Sequence, residues 1–437
     1  MSVSTIRTKY LIIGAGLSGL SAAHHLKENY LLMEANNFVG GNASTLFHKG
    51  FKLDNSVHVL YFRSNTILDW IRDTIQVELL ERNRESTVWV ENSYVSFPIQ
   101  YHLSELPFNS KQKSIRSILL TLFLSSGKKS TNFEAYSQKA FGKYLADIFI
   151  RPYNEKLFGV PLVQLNTDWL GDYVPAYSRI KMLLSALNSS GSVVGRNSKY
   201  YYPAEGGIAV LAQKISSQLY RSPDYNTRLE KIFVDEKKAI FNDGIEVNYE
   251  ILINTIPLDT FVNKFHSIPN DVSNSLKSLK KQPTTILHIL GKGKINNEAH
   301  WIYIPNQTIP FYRVTIPGNI NPLNCPDGYF ALTLEFGGDV FENQLVLEKS
   351  ISALKAMSLL NEKNTNIEFR WKLLDYGYVI YDQYRETALI RIFSFLKSNR
   401  IFSIGRYGSW EYSNMEDAIL HGKNVASYLL NTETTVL

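Results

Sequence analysis

Glycines are the residues of this chain with the clearest chemical purpose. Gly14-Ala15-Gly16-Leu17-Ser18-Gly19 follows the largely apolar run Lys9 to Ile13 and precedes Leu20, Ala23 and Leu26, which with Leu17 recur at helical spacing. A Gly-X-Gly-X-X-Gly hexad that ends a strand and opens a helix is the setting of a dinucleotide site. Gly14 permits the tight turn, Gly16 lets backbone N–H groups approach a pyrophosphate, and Gly19 allows close packing of helix on strand. The helix N-terminus then stabilises the phosphate charge. Glu34 ends the second apolar strand, Tyr30 to Met33, and is placed to accept a hydrogen bond from a ribose hydroxyl, which disfavours a 2′-phosphate. Two further glycine turns, Gly40-Gly41 before Asn42 and Gly405-Arg406-Tyr407-Gly408 near the C-terminus, suit the longer cofactor FAD better than NAD. An ordinary flexible turn at 40–41 leaves NAD open.

These turns need a parallel βαβ scaffold, which is expected at the extreme N-terminus. The texture returns to that type from Val210 to Leu258 and again from Ile401 into a helix from about Met415 to Leu430. The expected fold class is therefore α/β, a Rossmann-like FAD-binding domain assembled from 1–65, 195–270 and 395–437. Helical patterns fill 105–194, predicting a helical insert domain. Residues 66–104 and 271–394 are read as a second, mainly antiparallel sheet domain that binds substrate, with a strand pair between Thr87 and Ile99 turning at Glu91-Asn92-Ser93.

With 437 residues, the chain is long enough for two or three domains and a cleft between them. Its 44% hydrophobic and 20% charged residues exclude disorder and collagen-like repeats. The +6 charge comes from 46 cations interleaved with 40 anions, which points to an anionic small molecule and not to nucleic acid. Cys325 is alone, so neither an internal disulfide nor a cysteine metal site can form; no metal is expected. No run reaches the roughly 18 apolar residues of a membrane span, and a soluble, cytoplasmic protein is expected. P-loop, nucleophile-elbow and His-Glu-X-X-His motifs are all missing.

Beyond the fingerprint, the chain resembles the UDP-galactopyranose mutase family, within the flavoproteins related to amine oxidases. The likeness rests on Leu53-Asp54-Asn55-Ser56-Val57-His58, Arg151-Pro152-Tyr153-Asn154, Trp169-Leu170-Gly171, Tyr202-Pro203-Ala204-Glu205-Gly206-Gly207, Phe311-Tyr312-Arg313, Asp375-Tyr376-Gly377-Tyr378 and Gly405 to Tyr412. The resemblance implies a mutase that interconverts pyranose and furanose forms of a nucleotide sugar, a UDP-linked hexose, without net redox change. In that family reduced FAD attacks the anomeric carbon through N5 while cations hold the departing diphosphate. It implies cofactor contacts from Gly14, Gly16, Leu17, Ser18, Gly19, Glu34, Gly40, Gly41, Asn42, His58, Gly405, Arg406, Asn414 and Met415. It implies substrate contacts from Tyr153, Asn154, Trp169, Arg313, Tyr378, Tyr412 and Asn414, with His58 and Arg313 as the catalytic residues. NAD(P)H or another reductant would reduce the flavin, and the helical insert offers a surface for a homodimer. The alternative is an amine-oxidase-like oxidoreductase.

Two departures matter. Tyr173 stands where the family carries a second diphosphate-binding arginine, so Arg179 or Arg196 takes over, the substrate is held differently, or the activity is another. Ser56-Val57 replaces a glycine pair before His58, setting a bulkier segment against the flavin.

Overall fold

The computed structural model describes residues 5–124, 130–170, 178–187 and 198–434. Tyr173 and Arg196 lie outside them.

The N-terminal strand Thr5–Ile13 is flanked by Tyr30–Met33 and Glu246–Asn254, and Ile401–Ser403 pairs with the far side of Glu246–Asn254; all these pairings are parallel. Antiparallel Lys238–Phe241 and Leu229–Phe233 complete a six-stranded sheet. Tyr10 to Ile13 and Tyr30 to Met33 are buried on both faces, as unbroken apolar runs in a covered parallel sheet must be. The register aligns Ile13 with Met33 and Asn254, and Asn254 with Ser403. Gly14, Glu34, Thr255 and Gly405 therefore emerge along one carboxyl rim, where open α/β sheets bind ligands. Widely separated stretches of sequence converge there because only parallel pairing lets each strand deliver its following turn to the same edge.

A second sheet runs Thr365–Val379, Lys281–Lys292, Tyr329–Gly337, Arg313–Thr315, Trp301–Tyr303, Ser86–Val90, Ser93–Ser96. It is antiparallel except where Trp301–Tyr303 meets Ser86–Val90. Glu91 and Asn92 both take positive φ, 50° and 59°, the backbone that a two-residue hairpin between right-twisted strands requires. One face, with Leu287, Ile289, Ile302, Val314, Leu332 and Leu334, packs on Ala353 and Leu354 of the helix Gln344–Ala356. Side chains alternate along strands, so the other face carries Arg313, Glu335, His288 and Thr333, of which Glu335, His288 and Thr333 are buried. His288 and Thr333 sit opposite each other with Nδ1 and Oγ1 2.9 Å apart.

Between 105 and 187 the described residues are helical, with Phe108–Leu124, Phe133–Phe141 and Arg151–Phe158 the longest segments. Their Ile118, Phe141, Leu157 and Phe158 share one core with Tyr312 and Val379 of the second sheet, which fixes the insert against the substrate side. Among the described residues no helix is long and apolar enough to cross a membrane.

Candidate active site

At the rim of the first sheet, Gly14 turns with φ +98°, and a Cβ there would lie 2.7 Å from Thr255 Oγ1. A Cβ on Gly19 would come within 2.0 Å of the Gly14 carbonyl oxygen, so only glycine lets the helix Leu17–Leu26 start so close to the turn. Gly16 differs, since a Cβ on it would meet no atom within 4 Å. Space in front of Gly16, at a helix start that no side chain caps, is what a pyrophosphate needs. Leu17 and Ser18 supply the first turn of that helix.

The Glu34 carboxylate accepts from Ala15 N and from Asn36 N and Nδ2, each at 2.8 Å. Of about four acceptor positions, that leaves one for a ribose hydroxyl. Gly40 donates from N to the Ala15 carbonyl at 2.9 Å, and a Cβ on Gly41 would lie 3.7 Å from Gly16 Cα. The second glycine turn thus rests on the first. Gly405, φ +82°, rests on Ser18, whose Oγ would be 2.6 Å from an added Cβ. All three glycine turns meet at one place.

From there the site runs toward the second sheet. Asn42 Nδ2 reaches the Tyr376 carbonyl at 3.3 Å and the Tyr407 hydroxyl at 3.2 Å. Arg406 donates to the carbonyls of Ser413 at 2.6 Å and Gly377 at 3.2 Å, and lies 5.3 Å from the ring centre of Tyr378 and 4.9 Å from that of Tyr412. Those two rings stack at 5.9 Å. Burial pushes the Tyr378 phenol up to about 12, so it remains a hydrogen-bond donor at neutral pH. Asn414 caps the helix that opens with Met415: its N donates to Asp417 Oδ2 and its Oδ1 accepts from Asp417 N, both at 2.9 Å. This engages the Asn414 side-chain carbonyl in capping, while its Nδ2 makes no hydrogen bond to a described residue.

Arg313 is not a lone cation. It lies directly across the ladder from Glu335, to which it donates through Nε at 2.7 Å and Nη2 at 2.5 Å. Side-chain exposure is 13% for Arg313 and 1% for Glu335, so this is a buried, bidentate pair. Tyr312 OH at 3.1 Å and Ser56 Oγ at 2.9 Å also donate to Glu335, and Arg313 Nη2 reaches Ser56 Oγ at 3.0 Å. Sequence reasoning missed Glu335, although the signal existed: it is the lone charge in the strand Tyr329–Gly337. His58 lies in the field of this pair. Burial, joined by the charges of Arg406, Arg313 and Lys372 and opposed by Glu335, pulls it down to about 4. It is neutral at physiological pH, and its buried Nδ1 has no hydrogen-bond partner among the described residues.

Tyr153 packs edge-on to Tyr303 and Tyr312, at 5.3 and 6.1 Å, beside Arg313. Asn154 turns back, Nδ2 donating to the Ile150 carbonyl at 2.7 Å within its own helix. Trp169 stands edge-on to Tyr412 at 5.8 Å with its buried Nε1 making no hydrogen bond to a described residue. Arg179 donates to the Lys139 carbonyl at 2.9 Å, inside the helical insert. A cation that sequence reasoning passed over lies nearer: Arg84 is buried over the Phe97 ring at 4.7 Å, and its charge reaches the Tyr61 phenol, which also feels Arg313.

The open space at Gly16 and the uncapped helix start are of the kind that would receive the pyrophosphate of FAD, and the buried His58 Nδ1 is a polar atom that a bound group could satisfy. A family model described as flavin containing amine oxidoreductase matches residues 17–430. A crystal structure of reduced UDP-galactopyranose mutase is similar over 97% of this chain and 94% of that one, at 26% identity and a TM-score of 0.92. Wild-type putrescine oxidase bound to putrescine matches over 98% of this chain and 100% of that one, at 15% identity and a TM-score of 0.66. A CLA-producing fatty acid isomerase from P. acnes matches over 96% of this chain and 98% of that one, at 12% identity and a TM-score of 0.67. The last two likenesses are of fold alone.

Proposed function

The chain belongs to the flavin containing amine oxidoreductase family, and from that premise we propose that it is an FAD-dependent mutase interconverting the pyranose and furanose forms of a UDP-linked hexose. The observation that carries this reading is the buried Arg313–Glu335 pair together with the stacked Tyr378 and Tyr412 rings, which lie beside Arg406 of the third glycine turn. Likeness to reduced UDP-galactopyranose mutase supports the same reading.

Reduced FAD, when bound, supplies an electron-rich nitrogen nucleophile. The chain's own residues do the rest. Arg313 Nη1, which makes no hydrogen bond to a described residue, is available to a phosphate oxygen. Tyr378 and Tyr412 add hydroxyl donors, so the diphosphate is stabilised as the anomeric C–O bond breaks and again as it reforms. Glu335 orients the guanidinium through its two bonds to Nε and Nη2, which leaves the Nη1 edge for the diphosphate. His58, neutral, offers Nδ1 to the flavin edge without placing a cation there. Tyr153 and Trp169 line the sugar side and exclude water.

The same proposal assigns 1–65, 195–270 and 395–437 to FAD binding, 105–194 to the insert, and 66–104 with 271–394 to substrate. It includes NAD(P)H or a similar reductant, a homodimer through the insert, a cytoplasmic location and a place in the supply of galactofuranose for polysaccharide synthesis. The test is incubation of dithionite-reduced holoenzyme with UDP-hexoses. Furanose product without stoichiometric consumption of reductant is expected. Peroxide released in step with substrate loss shows an oxidase instead.

A further inference from the structure

The segment Asn55 to His58 touches both halves of the site, and its bonds make an unbroken path between them. Gly41 lies against Gly16. The carbonyl of the next residue, Asn42, accepts from Asn55 Nδ2 at 3.0 Å. Ser56 Oγ then donates to Glu335 Oε2 at 2.9 Å and accepts from Arg313 Nη2 at 3.0 Å. The Ser56 carbonyl accepts from His58 N at 2.8 Å, and the His58 ring ends in the buried, unpartnered Nδ1. One hydroxyl therefore joins the buried ion pair to the loop beneath the cofactor cradle. Glycine at position 56 would make neither bond.

We propose that Ser56 is a positioning residue through which a diphosphate held by Arg313 acts on the environment of the flavin. The inference rests on the mutase reading for the identity of the anion. Glu335 draws on every donor around it: two from Arg313, one from Tyr312 and one from Ser56. An anion recruited to the free Nη1 edge competes with Glu335 for the guanidinium. The hydroxyl, as donor to one partner and acceptor from the other, must follow any change in their spacing, and hydrogen-bond chains in low-dielectric surroundings polarise one another. His58 responds to that shift as a neutral ring, by geometry and not by taking up a proton.

Spatial continuity alone does not establish coupling, so the test reads coupling directly. FAD-loaded protein is titrated with UDP and, separately, with inorganic pyrophosphate, recording heat and the flavin absorption difference spectrum together. In the wild-type protein both anions should produce a difference spectrum that saturates with the heat. Ser56→Ala should bind either anion within about threefold of wild type while the amplitude at saturation falls below half. Ser56→Thr, which keeps the hydroxyl, should retain the amplitude, and FAD content and melting temperature check that the variants are folded. Full amplitude in Ser56→Ala, equal loss in Ser56→Thr, or a wild-type flavin silent to both anions overturns the proposal. Pyrophosphate binding without any heat from UDP refutes the mutase reading instead, and the pyrophosphate amplitudes still decide the role of Ser56.

Discussion

Replacing Arg313 by alanine separates two roles that one side chain fills. Glu335, 1% exposed, keeps the Tyr312 and Ser56 hydroxyls as donors but loses its cation. Breaking a buried pair from one side costs about 3–5 kcal/mol. A loss of that size in a chain of 437 residues lowers the melting temperature by about 4 °C. Removing charge-assisted bonds to a diphosphate should separately weaken UDP binding by about 2–3 kcal/mol, or ~30- to ~150-fold. The double variant Arg313→Ala/Glu335→Gln has no buried charge left, so it should recover at least half of the lost stability and none of the affinity. Calorimetric titration with UDP and thermal unfolding of the holoenzyme measure both. A dissociation constant in Arg313→Ala that matches wild type removes Arg313 from the nucleotide site. A double variant no more stable than the single one refutes the buried-charge argument.

Gly16→Ala places a methyl group in open space, so the protein should fold with an unchanged melting temperature as apoprotein and bind FAD about tenfold or more weakly, measured by flavin fluorescence. Gly19→Ala meets the Gly14 carbonyl at 2.0 Å and should fail to give stable protein; normal yield and cofactor content would contradict the close approach. Tyr378→Phe and Tyr412→Phe should each cost about 0.5–1.5 kcal/mol in UDP affinity with FAD content unchanged, and a variant that loses FAD instead belongs to the cofactor side. Acid should destabilise the protein through its buried histidines. His58 and His288 are pulled to about 4 and about 3, chiefly by burial, so their contributions are complete above the unfolded value near 6.5 and are lost as pH falls through the folded values. Asp54, raised to about 6 by burial, acts oppositely, favouring the fold most below its unfolded value and less as pH rises through 6. Near pH 5 these three groups leave a net uptake of one proton on unfolding, or about 1.4 kcal/mol per pH unit. Urea midpoints of His288→Leu between pH 4.5 and 6.5 should show that slope flattened; the wild-type slope persisting would exclude His288 as a source.

Local chemistry made much of the fold legible. The strand, turn and helix from Lys9 to Leu26, the pair turning at Glu91-Asn92, the strand ending at Asn254 and the helix from Met415 are all set by short-range apolar periodicity and turn residues, and the structure has each of them. Pairing order was not legible. Nothing near Trp301 announces that its strand runs parallel to Ser86–Val90 within an otherwise antiparallel sheet, because register is decided by which apolar faces meet across hundreds of residues.

The same divide runs through the site. Gly14, Gly16, Gly19 and Glu34 could be read because a backbone requirement and a fixed spacing travel together in one unit. Arg313 could be read as a cation in a matched block, but its electrostatic state could not. A guanidinium facing solvent and one held bidentate by a buried carboxylate look identical in sequence, and Glu335 lies 22 residues away on the next strand but one position across the ladder. Ser56 is 257 residues from Arg313; read locally it is a bulkier substitute for glycine, and only the folded chain turns that bulk into two hydrogen bonds. The departure at position 56 therefore has a structural role that the residue type alone does not announce.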